Sequence, residues 1–194
     1  MVIVRKLIQY SGLLAFLIPI VLLHISSRIK SNRNQKIFYF IVFGLYITCI
    51  LLFTLIRKPS TIRTYNLKPF WTYMYIRDPQ FRREIMGNIY LFIPFGFILS
   101  MITGTGIVIT SLFGFIFSTM IEFLQYYFCL GMSEFDDVFH NTLGTVIGYI
   151  YWKLLMIIRV HYGQQIGNAI NKSNKWITRY VGRIIDYLAN KKEK

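Results

Sequence analysis

Apolar residues fall into five long runs, Leu7 to Ile25, Ile37 to Ile56, Met86 to Thr103, Ile107 to Leu130 and Val138 to Ile158. A helix of about 20 mostly apolar residues crosses the roughly 30 Å hydrocarbon core of a bilayer. Helices of soluble proteins keep a polar face, and these runs have almost none. The pattern predicts an all-α fold: a helical integral membrane protein with about five transmembrane helices. Beyond Ile158 the period changes. Ile166, Ile170, Ile177, Val181, Ile184 and Leu188 recur at helical spacing among Lys172, Lys175, Arg179 and Arg183. This predicts a C-terminal amphipathic basic helix lying on a membrane surface rich in anionic lipid.

Three segments follow from this pattern. Residues 1–36 hold an extra N-terminal span and a basic link, residues 37–158 a four-helix membrane domain, and residues 159–194 the basic tail. Arg5 and Lys6 ahead of the first run resemble the start of a signal peptide. That run is long for a signal core, however, and no small-residue cleavage site follows it, so it is expected to stay as a span.

Composition agrees with a membrane protein: 55% of residues are hydrophobic, 15% are charged, and the mean hydropathy is +0.47. The net charge of +14 is concentrated between and after the spans, where it bears on orientation and lipid contact. No nucleic-acid motif accompanies it. Arg28, Lys30, Arg33 and Lys36 follow the first span, against two bases before it. That bias puts this link and the tail in the cytoplasm and the N-terminus outside. Cys49 and Cys129 both fall in apolar runs and read as small core residues.

Polar residues inside apolar runs carry the functional signal, because an ionisable group within a span is costly. Ser111, Gly114, Ser118, Glu122, Gln125 and Cys129 line one stripe of the fourth span, and Asp137, Asn141, Gly144 and Gly148 line one stripe of the fifth. Asn88, Phe92, Phe95 and Gly96 share a face of the third, where Pro94 frees a backbone carbonyl that a neighbour must satisfy. Gly96, Gly144 and Gly148 are the expected sites of close helix packing. The short Gly104-Thr105-Gly106 link makes the third and fourth spans a tight hairpin.

Span parity brings Asn88, Glu122, Gln125, Asp136, Asp137, His140 and Asn141 to one membrane face, external if the tail is cytoplasmic. Glu122, Asp136 and Asp137 are the candidate catalytic groups, with Glu122 suited to proton transfer. Asn88, Gln125, His140 and Asn141 are candidates for ligand hydrogen bonds. Adjacent aspartates diverge by about 100° on a helix, so both reach one site only if the turn is non-helical. A purely structural role fits as well, with Asp136 or Asp137 as N-cap and His140 solvated or capping. Over this face lies Ser60 to Glu84, which mixes Tyr65, Phe70, Trp71, Tyr73 and Tyr75 with Arg63, Lys68, Arg77, Arg82 and Arg83. It reads as an interfacial aromatic belt or as a lid over an anionic headgroup. No metal-ligand spacing, cofactor motif or nucleophile triad is present.

These residues form four blocks: N-L-K-P-F at Asn66 to Phe70, G-N-I-Y-L-F-I-P-F-G at Gly87 to Gly96, I-E-F-L-Q at Ile121 to Gln125, and F-D-D-V-F-H-N-T-L-G-T-V-I-G at Phe135 to Gly148. Their order and spacing resemble the VanZ-like family of bacterial membrane proteins, named for a teicoplanin-resistance protein. The resemblance implies a multi-pass cell-membrane protein linked to glycopeptide resistance or to cell-envelope processes, and it does not supply a mechanism. The expected partners are the lipid bilayer and a lipid-linked cell-wall precursor or other anionic envelope ligand. A proton-coupled transporter relaying through Glu122, and an accessory subunit docking a protein partner by its glycine face, are the competing functions. Whether the protein is an enzyme stays open.

Overall fold

A computed structural model describes the backbone of residues 2–57 and 59–192, and side chains for residues 11–57, 59–162, 164 and 179. Five helices form: α1 (Val2–Ser27), α2 (Asn32–Leu55), α3 (Pro79–Thr103), α4 (Ile107–Tyr127) and α5 (Phe135–Lys192). Among the described residues, four stretches are long and apolar enough to cross a membrane: Asn32–Leu55, Pro79–Thr103, Ile107–Tyr127 and Phe135–Tyr162. The described part of α1, Ser11–Ser27, is a shorter apolar helix. The protein is an all-α membrane protein. Residues 1–152 form one compact unit and residues 153–194 a second. The second is helical through Lys192. The amphipathic face expected across Ile166 to Leu188 falls almost wholly on side chains outside the described residues.

Helix α3 is the centre of the first unit. Residues 92–100 are buried without interruption, and α1, α2 and α4 each pack on it. Its backbone also meets α5 closely, because a Cβ added at Gly96 would collide with the Thr145 backbone, and one at Gly148 with the Ile93 carbonyl. Gly144 meets the Ile89 carbonyl in the same way, and Gly114 of α4 lies against the Thr145 side chain. Beside this glycine seam, Ile50, Phe92, Phe95, Leu99 and Ile121 form a buried cluster. Within it Phe95 stacks on Phe117 at 5.2 Å.

Local chemistry sets the helix ends. Ser31 caps α2, accepting from the Asn34 amide at 3.5 Å. Gly104 ends α3 in the left-handed conformation (φ 62°), donating its N–H to Ser100 O at 3.0 Å. Helix α3 begins seven residues before its apolar run. Asp78 caps it with a 2.7 Å bond from the Gln80 amide, and Pro79 occupies the first turn, where its missing N–H costs nothing. Apolarity marks the embedded part of this helix, and a charged turn extends it toward water. Helix α4 ends at Tyr127, so Cys129 lies beyond it in a left-handed turn (φ 55°). Cys49 is exposed on α2, so neither cysteine is a core residue of a span.

Both helix-internal prolines are served by a tyrosine from another helix. Pro94 lies in α3, and the Tyr46 hydroxyl of α2 donates to Leu91 O, three residues earlier, at 2.7 Å. Pro19 lies in α1, and the Tyr151 hydroxyl of α5 donates to Phe16 O, again three residues earlier, at 3.0 Å. A proline disturbs the carbonyls one turn before it, and in lipid those must find donors within the protein. Tyr46→Phe is expected to destabilise the purified protein by about 1 kcal/mol, read as a lowered unfolding midpoint in detergent. An unchanged midpoint would show that the Leu91 carbonyl is satisfied without Tyr46.

Two short strands, β1 (Thr64–Asn66) and β2 (Met132–Glu134), pair in parallel with Thr64 opposite Met132 and Asn66 opposite Glu134. They join the α2–α3 connection to the α4–α5 connection. A 3-10 turn, Trp71–Tyr75, follows β1.

Candidate functional site

The α2–α3 connection is strapped across the polar end of the helices by one carboxylate. Asp136, fully buried in the first turn of α5, accepts from the Phe70 amide at 2.6 Å and from the Thr72 amide at 2.9 Å. It accepts from the Thr72 hydroxyl as well. Phe70 is left-handed (φ 60°), a conformation that lets neighbouring amides turn toward one anionic acceptor. Two side-chain bonds reinforce the strap. Trp71 Nε1 donates to Glu134 Oε2 at 3.0 Å, and the Tyr73 hydroxyl meets His140 Nε2 at 3.1 Å. Asp136 and Asp137 therefore do not cap α5, which starts at Phe135 straight from β2. His140 is only 1% exposed, so it is neither solvated nor a cap, and its bonded partner is Tyr73.

Asp137 points elsewhere, as the 100° divergence requires. Its Oδ1 accepts from Asn88 Nδ2 of α3 at 2.6 Å. Glu122, 5% exposed, accepts from the Glu134 amide through Oε2 at 2.9 Å. Asp137 and Arg57 both lie close enough to Glu122 to act on it electrostatically. The polar end thus divides in two. Asp136, Thr72, Tyr73 and His140 hold the strap, whereas Glu122, Asp137, Asn88 and Arg57 gather beside it.

The remaining candidates tie helices together. Gln125 Nε2 donates to Thr54 O of α2 at 3.2 Å, and Asn141 Nδ2 donates to Ser118 Oγ of α4 at 2.8 Å. Glu134, in the connection outside the spans, has its carboxyl pKa raised by burial, with the Trp71 hydrogen bond opposing that shift. Among the described residues no group of three His, Cys, Asp or Glu is placed to hold a metal ion.

Two cavities border the polar end. One, about 460 Å³, lies among α1, α2 and α3, with Leu14, Ile18, Phe53 and Leu91 on its walls and Arg57, Arg83 and Asn88 at its polar end. The other, about 480 Å³, has Phe115, Phe123, Tyr126 and Val138 on its walls and reaches Glu122 and Glu134. Arg57, Thr72 and Glu134 were not candidates on sequence grounds. Arg57 lies just past the end of the second span, on the face shared with Asn88, and that placement was a usable signal.

A helical membrane domain with a polar end strapped by a connecting segment is the class that fold and site define. The VanZ/LLP1 family model matches residues 40–157, more than half of the chain, and the chain belongs to that family. It is similar to Protein VanZ of Enterococcus faecium, with 31% identity over 104 residues, 53% of this chain and 59% of that protein. The similarity thus spans under two thirds of the relative's length. No solved structure matches the chain.

Proposed function

We propose that this protein acts in the cell envelope as a teicoplanin-resistance-type membrane protein, binding a lipid-linked or anionic envelope ligand at its polar end. Family membership and the similarity to Protein VanZ support the envelope role. The observation that carries the binding role is the grouping of Glu122, Asp137, Asn88 and Arg57 between two cavities that take in Glu122, Asn88 and Arg57. The glycine seam packs α3 against α5 independently of these four groups. The bases after the first span favour a cytoplasmic first link, which places the polar end at the external face.

The test is glycopeptide susceptibility of cells carrying Glu122→Gln or Asp137→Asn at equal membrane abundance. Both substitutions are near-isosteric and keep an oxygen for the Glu134 amide and for Asn88. Each replaces a carboxyl that can give up or take a proton beside the ligand by an amide that cannot. A hydrogen bond lost in this way is worth about tenfold in affinity, so each variant should lose most of the protection. Full protection in both would reject the site.

A further inference from the structure

We propose that the cleft among α1, α2 and α3 seats a phosphate-bearing amphiphile, its hydrocarbon chain between the helices and its phosphate on Arg57 and Arg83. This rests on the reading that the polar end binds a ligand, and it gives that ligand a location and a chemical class.

Shape supports it first. Helices α1 and α2 both pack on α3 and leave between them a cavity of about 460 Å³, within the roughly 300–1,000 Å³ of small-molecule sites. Along α3 the lining runs from Gln80 to Pro94, about 21 Å of helix at about 1.5 Å per residue. The part of that stretch within the apolar run, Met86 to Pro94, is about 12 Å long, under half of the roughly 30 Å hydrocarbon core. The cleft therefore runs from the water side of the headgroups into one leaflet, where the upper part of an acyl or prenyl chain lies.

Its chemistry changes along that length. Leu14, Ile18, Phe53 and Leu91 line the deep part, and Arg57 and Arg83 line the end nearest the strap. Glu84 shares that end, but its Oε1 is engaged by Gln80 Nε2 at 3.2 Å. The charged lining residues sum to one net positive charge. Guanidinium groups match phosphate oxygens in bidentate geometry, and Asn88, with one N–H on Asp137, has a second to offer. An anion site of this kind also accounts for bases on a face that the charge bias of the first link would put outside. Positive charge there runs against the orientation rule unless it meets a ligand.

The full chain, purified in dodecyl maltoside micelles, provides the test by native mass spectrometry. Dioleoyl phosphatidylglycerol, dioleoylglycerol and inorganic phosphate are the probes. One phosphatidylglycerol should be retained, about tenfold more strongly than dioleoylglycerol, and Arg57→Gln with Arg83→Gln should remove that preference. Gly87→Leu adds a bulky side chain to the lining of the same cleft, at a position where a Cβ meets nothing within 4 Å. It should abolish retention while leaving the unfolding midpoint in place. Equal retention of both lipids, or retention unaffected by Gly87→Leu, would overturn the proposal. Displacement of phosphatidylglycerol by inorganic phosphate at comparable concentration would overturn it too, marking a free-anion site. Should phosphatidylglycerol fail to bind while Glu122→Gln and Asp137→Asn still lose protection, the ligand class falls and the functional reading stands.

Discussion

Gly148→Ala should separate α5 from α3 and bring a large loss of stability. A Cβ at Gly148 collides with the Ile93 carbonyl and lies 2.8 Å from Phe97 N and 3.1 Å from Ile93 C. All three are backbone atoms of the central helix and cannot rotate aside as a side chain can. Overpacking that side chains absorb costs about 1–3 kcal/mol. Here a helix must move, so the cost lies at or above the top of that range, out of a total stability of about 5–15 kcal/mol. The unfolding midpoint in detergent reads it, and Gly44→Ala is the control. Nothing lies within 4 Å of a Cβ at Gly44, and replacing a helical glycine there should stabilise by about 0.5–1 kcal/mol. If Gly148→Ala melts with the parent, the two helices do not approach as described.

Asp136→Ala should release the strap while leaving the helices in place. The carboxylate satisfies two amides and one hydroxyl, and hydrogen bonds to a charged group contribute about 1.5–3 kcal/mol each, less than additively. Losing all three should cost on the order of 3 kcal/mol locally, or about a hundredfold in the opening equilibrium. Hydrogen exchange at the Phe70 and Thr72 amides should accelerate by that factor, with trypsin cleavage appearing at Arg77, exposed beside the strap. Slow exchange retained in the variant would mean that the β1–β2 pairing and the Trp71 and Tyr73 bonds hold the segment without Asp136.

The division of labour between the two aspartates shows how far sequence reaches. Apolar runs and their polar interruptions define the spans, because in lipid the whole helix surface must be apolar except where it meets another helix. Parity alone puts Asn88, Glu122 and Asp137 on one face, and the helical period alone separates Asp136 from Asp137. The docking of Ser60 to Glu84 was beyond reach. Its aromatic and basic residues fit an interfacial belt equally well, and the bonds that seat it link residues more than sixty positions apart. The parallel pairing of β1 and β2 was hidden for a similar reason, since three residues carry no periodic signal. The start of α3 at Pro79 was missed because a charged helical turn outside the membrane leaves no trace in an apolarity count. The tyrosines that serve Pro19 and Pro94 follow from no local pattern. Each sits on a different helix from the carbonyl it satisfies, and only the assembled bundle brings them together.

That the polar end serves a ligand, and not merely the packing of helices, is tested most directly by the unfolding midpoints of Glu122→Gln and Asp137→Asn set beside their glycopeptide susceptibility. Both substitutions preserve shape and an acceptor oxygen, so the midpoints should stay within a few degrees of the parent, a change of about 1 kcal/mol or less, while protection is lost. Loss of protection in proportion to a fall in midpoint would contradict the account and make Glu122 and Asp137 part of the packing.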